Sequence, residues 1–263
     1  MTTTYWDERG NGLTLGKRIG SGGEGEVYEL AGDARRVAKL YHPNLLHDNL
    51  AAKLRAMVAV ASNELRDAAA WPDSLLLEAR DGPACGFLMP YAGGREIHDL
   101  YQPAARTKYF PSAHWKFLVG VGRNLAAALE TLHQHNIVVA DFNQRNVRVT
   151  VEGTVRFVDC DSFQFQTTAG TIYRAPGVGV EEYLPPELQG QDLKTVSFSP
   201  QHDSFALAVI LFQLLYLGRH PFFFGGRWGC RAGKRGRYDP RWKLSTHAAR
   251  RRDSATGRPR GVL

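Results

Sequence analysis

The sequence predicts an α+β protein of two lobes around a cleft. Three observations carry this expectation. The first third is β-patterned around a glycine cluster, the remainder is dominated by helical periodicity, and 263 residues are enough to give both parts a core. An apolar content of 43% and a charged content of 22% place the chain among globular proteins. No apolar run approaches the ~18 residues of a transmembrane helix. The start, Met1 to Glu8, lacks both a basic cluster and an apolar stretch, which argues against a secretory leader. Cys85, Cys160 and Cys230 show no CxxC pairing. They are expected as reduced thiols in a cytoplasmic protein without structural zinc.

Residues 13–41 alternate apolar and polar character around the glycines and read as two or three strands with a tight loop. Leu46, Leu50, Leu54, Met57 and Val58 have helical spacing and predict a helix over 46–61. Trp71-Pro72 marks a break. Residues 74–91 predict a hairpin that turns at Arg80-Asp81-Gly82-Pro83 and returns through a buried strand at Gly86-Phe87-Leu88-Met89. Gly93-Gly94 makes a short flexible connection. A long helix is expected over 112–135, with Trp115, Leu118, Val119, Leu125, Ala128, Leu129 and Leu132 as its core stripe. Two short strands follow at 147–150 and 155–158, joined by Glu152-Gly153. A loop of about 25 residues comes next, long enough to be functional. Residues 203–217 then predict a strongly apolar helix.

The formal net charge of +7 is unevenly placed. Residues 219–263 carry 13 Lys/Arg and 2 Asp/Glu, whereas the first 218 residues carry 20 and 24. The body is therefore mildly acidic and has no phosphate-binding stripe, so no specific nucleic-acid partner is expected.

Gly20-Ser21-Gly22-Gly23-Glu24-Gly25-Glu26-Val27-Tyr28 fits G-x-G-x-x-G-x-V. Glycines there let backbone N–H groups approach phosphate oxygens with no Cβ in the way. Alone, the match serves a plain hairpin turn equally well. A dinucleotide-binding fingerprint fits less well, because the glycines lead into a second strand and not a helix. Val37-Ala38-Lys39 follows on the next strand. A lysine among apolar neighbours can reach the α- and β-phosphates as a point charge, although a lone strand lysine is more often solvated. In His135-Asn136-Ile137-Val138-Val139-Ala140-Asp141-Phe142-Asn143-Gln144-Arg145-Asn146-Val147, an aspartate and an asparagine lie five residues apart between a long helix and a strand. In phosphoryl transfer such an aspartate accepts or orients the substrate hydroxyl proton, and such an asparagine holds Mg²⁺. Thirteen residues after Asn146 comes Asp159 of Val158-Asp159-Cys160-Asp161, which would bind the metal bridging the β- and γ-phosphates.

With these motifs in this order, the chain resembles a protein kinase of the eukaryotic-like superfamily, over residues 13–222. Tyr183-Leu184-Pro185-Pro186-Glu187 resembles the A-P-E end of the activation segment, and His202-Asp203-Ser204-Phe205-Ala206-Leu207 the D-x-W-S-x-G start of the next large helix. The wording Asp-Cys-Asp-Ser-Phe-Gln and Pro-Pro-Glu-Leu-Gln-Gly is similar to a bacterial branch, which includes relatives with a helix-hairpin-helix extension. The resemblance implies a two-lobed protein-kinase-like fold, with an N-lobe over 13–92 and a C-lobe over 93–222. It implies ATP-dependent transfer of phosphate to protein Ser/Thr hydroxyls in bacterial signalling. ATP and Mg²⁺ (or Mn²⁺) are the implied cofactors, and a protein substrate or signalling partner the implied partner, with no membrane. Gly20, Ser21, Gly22, Gly25 and Val27 would cover the nucleotide, and Lys39 would bind its phosphates. The segment Met89, Pro90 and Tyr91 would receive adenine through its backbone. Asp141 would be the base or orienter, with Asn146 and Asp159 on the metal.

The sequence also departs from the pattern. H-R-D reads Val139-Ala140-Asp141, so the arginine that pairs with a phosphorylated activation loop is missing and that switch is not expected. The lysine two residues after the catalytic aspartate is Asn143; Arg145 is near enough to substitute in catalysis, or is a solvated charge. Asp161 replaces the glycine of D-F-G and could hold another metal ion, raise its neighbour's pKa or face solvent. Residues 47–61 contain Asp48 but no glutamate to pair with Lys39, and Glu64 lies late. That pair is missing, supplied by Asp161, or formed after a rearrangement. A pseudokinase or nucleotide-sensing scaffold is therefore the alternative function. Beyond Phe222 the helices that complete a kinase C-lobe are not recognisable. Residues 223–263 read as a disordered basic tail, as non-native sequence from a frame slip near 222–230, or as a divergent folded ending anchored by Trp228, Tyr238 and Trp242. We adopt the slip, which leaves the C-lobe incomplete.

Overall fold

A computed structural model describes residues 4–46, 48–224 and 227–228. Strands Thr4–Asp7 (β1), Gly12–Ser21 (β2), Gly25–Leu30 (β3) and Asp33–Tyr41 (β4) pair antiparallel in that order. Helices Asp48–Ala59 (α1) and Asn63–Ala68 (α2) precede Ser74–Leu77 (β5) and Ala84–Pro90 (β6). The second of these strands pairs with both β4 and β5, and β5 pairs with β1, so six strands close into a barrel.

Period-two alternation decides what β4 presents to each side. Ala38 joins Leu30, Leu76, Cys85 and Leu88 inside the barrel. Val37 and Tyr41, in phase with Lys39, belong instead to the larger core outside it. The barrel grips β4 closely on both edges. A Cβ on Gly25 would lie 2.2 Å from the Leu40 carbonyl oxygen, and one on Gly86 would lie 2.0 Å from that of Lys39. Only glycine permits those approaches, so the backbone at Lys39 is held from two directions.

The apolar stripe of α1 buries Leu54 and Met57. The Ser62 hydroxyl accepts the Leu65 N–H and starts α2, a helix not expected from the sequence. The Trp71-Pro72 break is an anchor: Trp71 is fully buried and its indole N–H donates to the Met57 carbonyl at 2.9 Å.

The rest of the chain runs through Arg95–Glu96 (β7), Pro103–Tyr109 (α3), Trp115–Gln134 (α4), Ile137–Val138 (β8), Val147–Val149 (β9) and Val155–Phe157 (β10). It continues through Gln164–Gln166 (β11), Ile172–Tyr173 (β12) and Pro200–Leu215 (α5), and then the short hairpin Phe223–Phe224 (β13) with Arg227–Trp228 (β14). Two expectations are corrected here. Trp115 and Val119 are not core residues of α4; they are 59% and 48% exposed. The buried face runs through Leu118, Val121, Gly122, Leu125, Ala128, Leu129 and Leu132, which puts Val119 on the opposite side of the helix and Trp115 on its flank. The long loop after β10 is also not structureless, since β11 pairs with both β8 and β12.

Cys85 and Cys160 are buried free thiols. Among the described residues no helix is long and apolar enough to cross a membrane. Cys230, Tyr238, Trp242 and the readings of the segment after residue 228 lie outside the described residues, as do the side chains of Asp48 and Trp228.

Candidate functional site

A cavity of about 480 Å³ opens between the barrel and the helical part. Gly20, Ser21, Gly22, Gly25, Val27 and Lys39 line it from one side, and Met89, Pro90 and Tyr91 from the connecting strand. Asn146, Asp159 and Asp161 line it from below. All the residues expected at nucleotide and metal thus share one space. Val27, Val37, Ala70, Met89 and Val158 give it apolar walls. A Cβ on Gly22 or Gly23 would meet nothing within 4 Å, so the glycine loop is uncrowded at both positions. One detail differs from expectation. The Tyr91 N–H donates to the Arg35 carbonyl at 2.8 Å, and its own carbonyl accepts from Arg156 at 3.2 Å. Tyr91 therefore lines the cleft with its backbone already engaged.

Lys39 is not solvated; it is 6% exposed. Its ammonium donates to Asp161 Oδ2 at 2.6 Å, Asp159 Oδ1 at 3.0 Å and Glu24 Oε2 at 3.2 Å. Burial opposes the charged form, but the Asp161 and Asp159 carboxylates outweigh it and hold the Lys39 pKa above the ordinary lysine value. Asp161 is buried, so of the readings offered above, exposure to solvent is excluded. The Tyr41 hydroxyl also donates to Asp161 Oδ2. Burial alone would raise the Asp161 pKa, yet the Lys39 charge and hydrogen bond keep it below the usual carboxylate range. The acidic partner of the strand lysine comes from this turn. Asp161 Oδ1 is buried without a hydrogen-bond partner. Carboxylate oxygens of Glu24, Asp159 and Asp161 lie within 4.8 Å of one another.

Asp141, Asn143 and Arg145 sit on the adjoining loop and do not line the cavity. The Asn146 side-chain amide donates to the Asp141 carbonyl at 2.9 Å, which leaves its Oδ1 available to a cation. Asn143 is buried and committed to the loop: its Nδ2 donates to the Asp141 carbonyl and its Oδ1 accepts the Arg145 N–H. Arg145 is exposed. Burial, then the neighbouring Asp159 charge, push the Asp141 carboxyl above its ordinary range, although bonds from Asn143 and Asn146 oppose the shift. Asp203, at the start of α5, holds this loop from beneath. It is 1% exposed and accepts the N–H groups of Val139 at 2.8 Å and Ala140 at 3.0 Å. Its Oδ2 also lies 2.9 Å from His133 Nε2. Ala140 has a φ of 65°, a left-handed conformation that these two bonds stabilise. Asp203→Asn presents an NH₂ group where an acceptor is needed and should cost about 1–3 kcal/mol. Denaturant unfolding would measure the loss.

Sequence reasoning missed Tyr41, Lys53 and Glu24. Tyr41 had a signal, two residues from Lys39 on the same strand face. Lys53 had one too, a charge set into the stripe formed by Leu50, Leu54 and Met57. Lys53 Nζ donates to the carbonyls of Asp161 and Phe163, and burial pushes its ammonium pKa down to about 8. Glu24 had no signal beyond its place in the glycine loop.

The protein kinase domain family matches residues 78–227. Protein kinase YegI of Escherichia coli O157:H7 is 40% identical over 228 residues, which cover 84% of this chain and 34% of that protein. Protein kinase YegI of Escherichia coli strain K12 is 41% identical over 215 residues, covering 80% and 32%. The chain therefore spans about a third of the length of these curated relatives. Among solved structures, the ROP18 kinase domain in complex with AMP-PNP and sucrose aligns over 84% of this chain and 69% of that one. Its TM-score is 0.59 at 15% identity, a likeness of fold.

Proposed function

We propose that this chain, which belongs to the protein kinase domain family, transfers the γ-phosphate of ATP to Ser/Thr hydroxyls of a protein in the bacterial cytoplasm. The observation that carries the reading is the buried Lys39 ammonium, held by Asp159 and Asp161 in the same cavity as the glycine loop and Asn146. A buried, charged lysine beside uncrowded loop glycines is what a triphosphate needs.

In this reading the N-lobe is residues 13–92 and the C-lobe 93–222. Gly20, Ser21, Gly22, Gly25 and Val27 cover the nucleotide, and adenine lies between the apolar walls beside Met89, Pro90 and Tyr91. Lys39 takes the α- and β-phosphates, and Glu24, whose side chain is half exposed, gives way to them. Asp141 holds the substrate hydroxyl and takes its proton as the oxygen bonds to the γ-phosphorus and the bond to the β-phosphate breaks. Asn143 shapes the loop, and Arg145, exposed beside it, is the candidate for the γ-phosphate charge. The oxygen-only donor set suits a hard divalent cation such as Mg²⁺ or Mn²⁺. Asp159 and Asn146 Oδ1 would hold it, with the unpartnered Asp161 Oδ1 as a further ligand. Such an ion neutralises phosphate charge when bound.

The test is ATP binding with and without Mg²⁺, followed by label transfer from γ-labelled ATP to the chain itself and to Ser/Thr peptides. Metal-dependent binding and transfer to hydroxyls are expected. Tight binding without any transfer would instead establish a nucleotide-sensing scaffold.

A further inference from the structure

In kinases the first helix usually reaches the strand lysine with its own glutamate, and α1 has none. It presents a cation instead. Lys53 lies on the buried face of α1, and its Nζ donates to the Asp161 carbonyl at 2.6 Å and the Phe163 carbonyl at 2.8 Å. The first carbonyl belongs to the middle residue of the tight turn Cys160–Ser162, and the second to the residue that follows the turn. That turn carries the Asp161 carboxylate, which receives Lys39 and Tyr41. The path from α1 to Lys39 therefore has two steps, in which the helix holds the turn and the turn holds the lysine.

The charges make these two departures from the family pattern depend on each other. A glutamate at position 53 would stand beside Asp161 as a second buried carboxylate. A glycine at position 161 would remove the carboxylate whose charge favours both lysines and leave Lys39 only the more exposed Asp159 and Glu24. Either single reversion is unfavourable where charges are buried.

We propose that Lys53 is the positioning residue through which α1 sets the Lys39–Asp161 pair, and so the site for the nucleotide phosphates. The proposal rests on the phosphoryl-transfer reading of the cleft. A helix that moves relative to the turn would displace Asp161, and Lys39 would lose its buried partner. Misplacement on the scale of 1 Å costs about 10²-fold in rate.

Two variants in the full chain test it. Lys53→Met keeps the apolar stem and removes the donors. Lys53→Arg keeps the charge and can donate to both carbonyls. In Lys53→Met, kcat should fall about 10²-fold, with the KM for ATP rising only a few-fold. Lys53→Arg should recover most of that loss. Hydrogen exchange at Ser162 and Phe163 should accelerate in the methionine variant and return towards wild type in the arginine variant. A methionine variant as active as wild type would overturn the proposal, as would an arginine variant no better than methionine. If the wild-type chain transfers no phosphate, the phosphoryl-transfer reading fails, and exchange at the turn decides the role of Lys53. Unchanged exchange in Lys53→Met would then reject it.

Discussion

Asp141→Ala should lower phosphate transfer by about 10²–10⁴-fold while ATP affinity stays within a few-fold of wild type. The carboxylate lies on the loop beside the cavity and not in its lining, so its removal leaves the nucleotide contacts in place. In the proposed mechanism, what disappears is the group that holds the acceptor hydroxyl. Asn146 would lose only a distant contact to Asp141 Oδ2 at 3.5 Å and keep its bond to the Asp141 carbonyl at 2.9 Å. The pH dependence has a definite sign. Asp141 must be ionised to accept a proton, and burial raises its pKa. The acid limb of kcat/KM should therefore lie above the ordinary carboxylate pKa of about 3.9, with rate rising as pH rises through it. Equal transfer by wild type and Asp141→Ala would remove Asp141 from the mechanism.

The linear order of the site was legible because each motif is local. The glycine loop, Lys39, Asp141, Asn146 and Asp159 sit at spacings set by strand, loop and hairpin lengths, and no long-range knowledge is needed to read them. The hairpin at 74–90 and α1 were legible for the same reason, since period and turn residues are local properties. Closure of the barrel by β1 was not, because a four-residue strand has too short a pattern to declare its partner β5. Trp115 and Val119 are apolar but lie off the helix phase of the core stripe; Val121 and Gly122 complete the buried face that Leu118 begins. The role of Asp161 was legible only as alternatives. The sequence places it two residues from Asp159, but whether it meets solvent, metal or lysine depends on a contact 122 residues away along the chain. Lys53 is the same case, since two carbonyls more than a hundred residues distant determine what a lysine in an apolar stripe is doing there.

Asp161→Ala should destabilise the protein by about 3–5 kcal/mol, the cost of removing one partner from a buried ion pair. Lys39 and the Asp161 side chain are 6% and 2% exposed, so neither charge is relieved by water. The variant leaves Lys39 with Asp159 and Glu24, whose side chains are 46% and 49% exposed and therefore weaker partners. Those remaining contacts put the expected value near 3 kcal/mol, the lower end of that range. Tyr41 loses its acceptor as well, and its hydroxyl is left in the core. The pH dependence separates this cause from a simple cavity. The folded-state pKa of Asp161 is depressed, so its stabilisation is present above the unfolded value of about 3.9 and is lost as pH falls through the lower folded value. Denaturant unfolding of wild type and Asp161→Ala should differ by a constant amount between about pH 5 and 8, and the difference should shrink only in strong acid. A gap that persists unchanged at the lowest pH would mean that packing, not the ion pair, is what Asp161 supplies. Nucleotide binding should fall together with stability in this variant, because Lys39 without its buried partner is no longer held in place for phosphate.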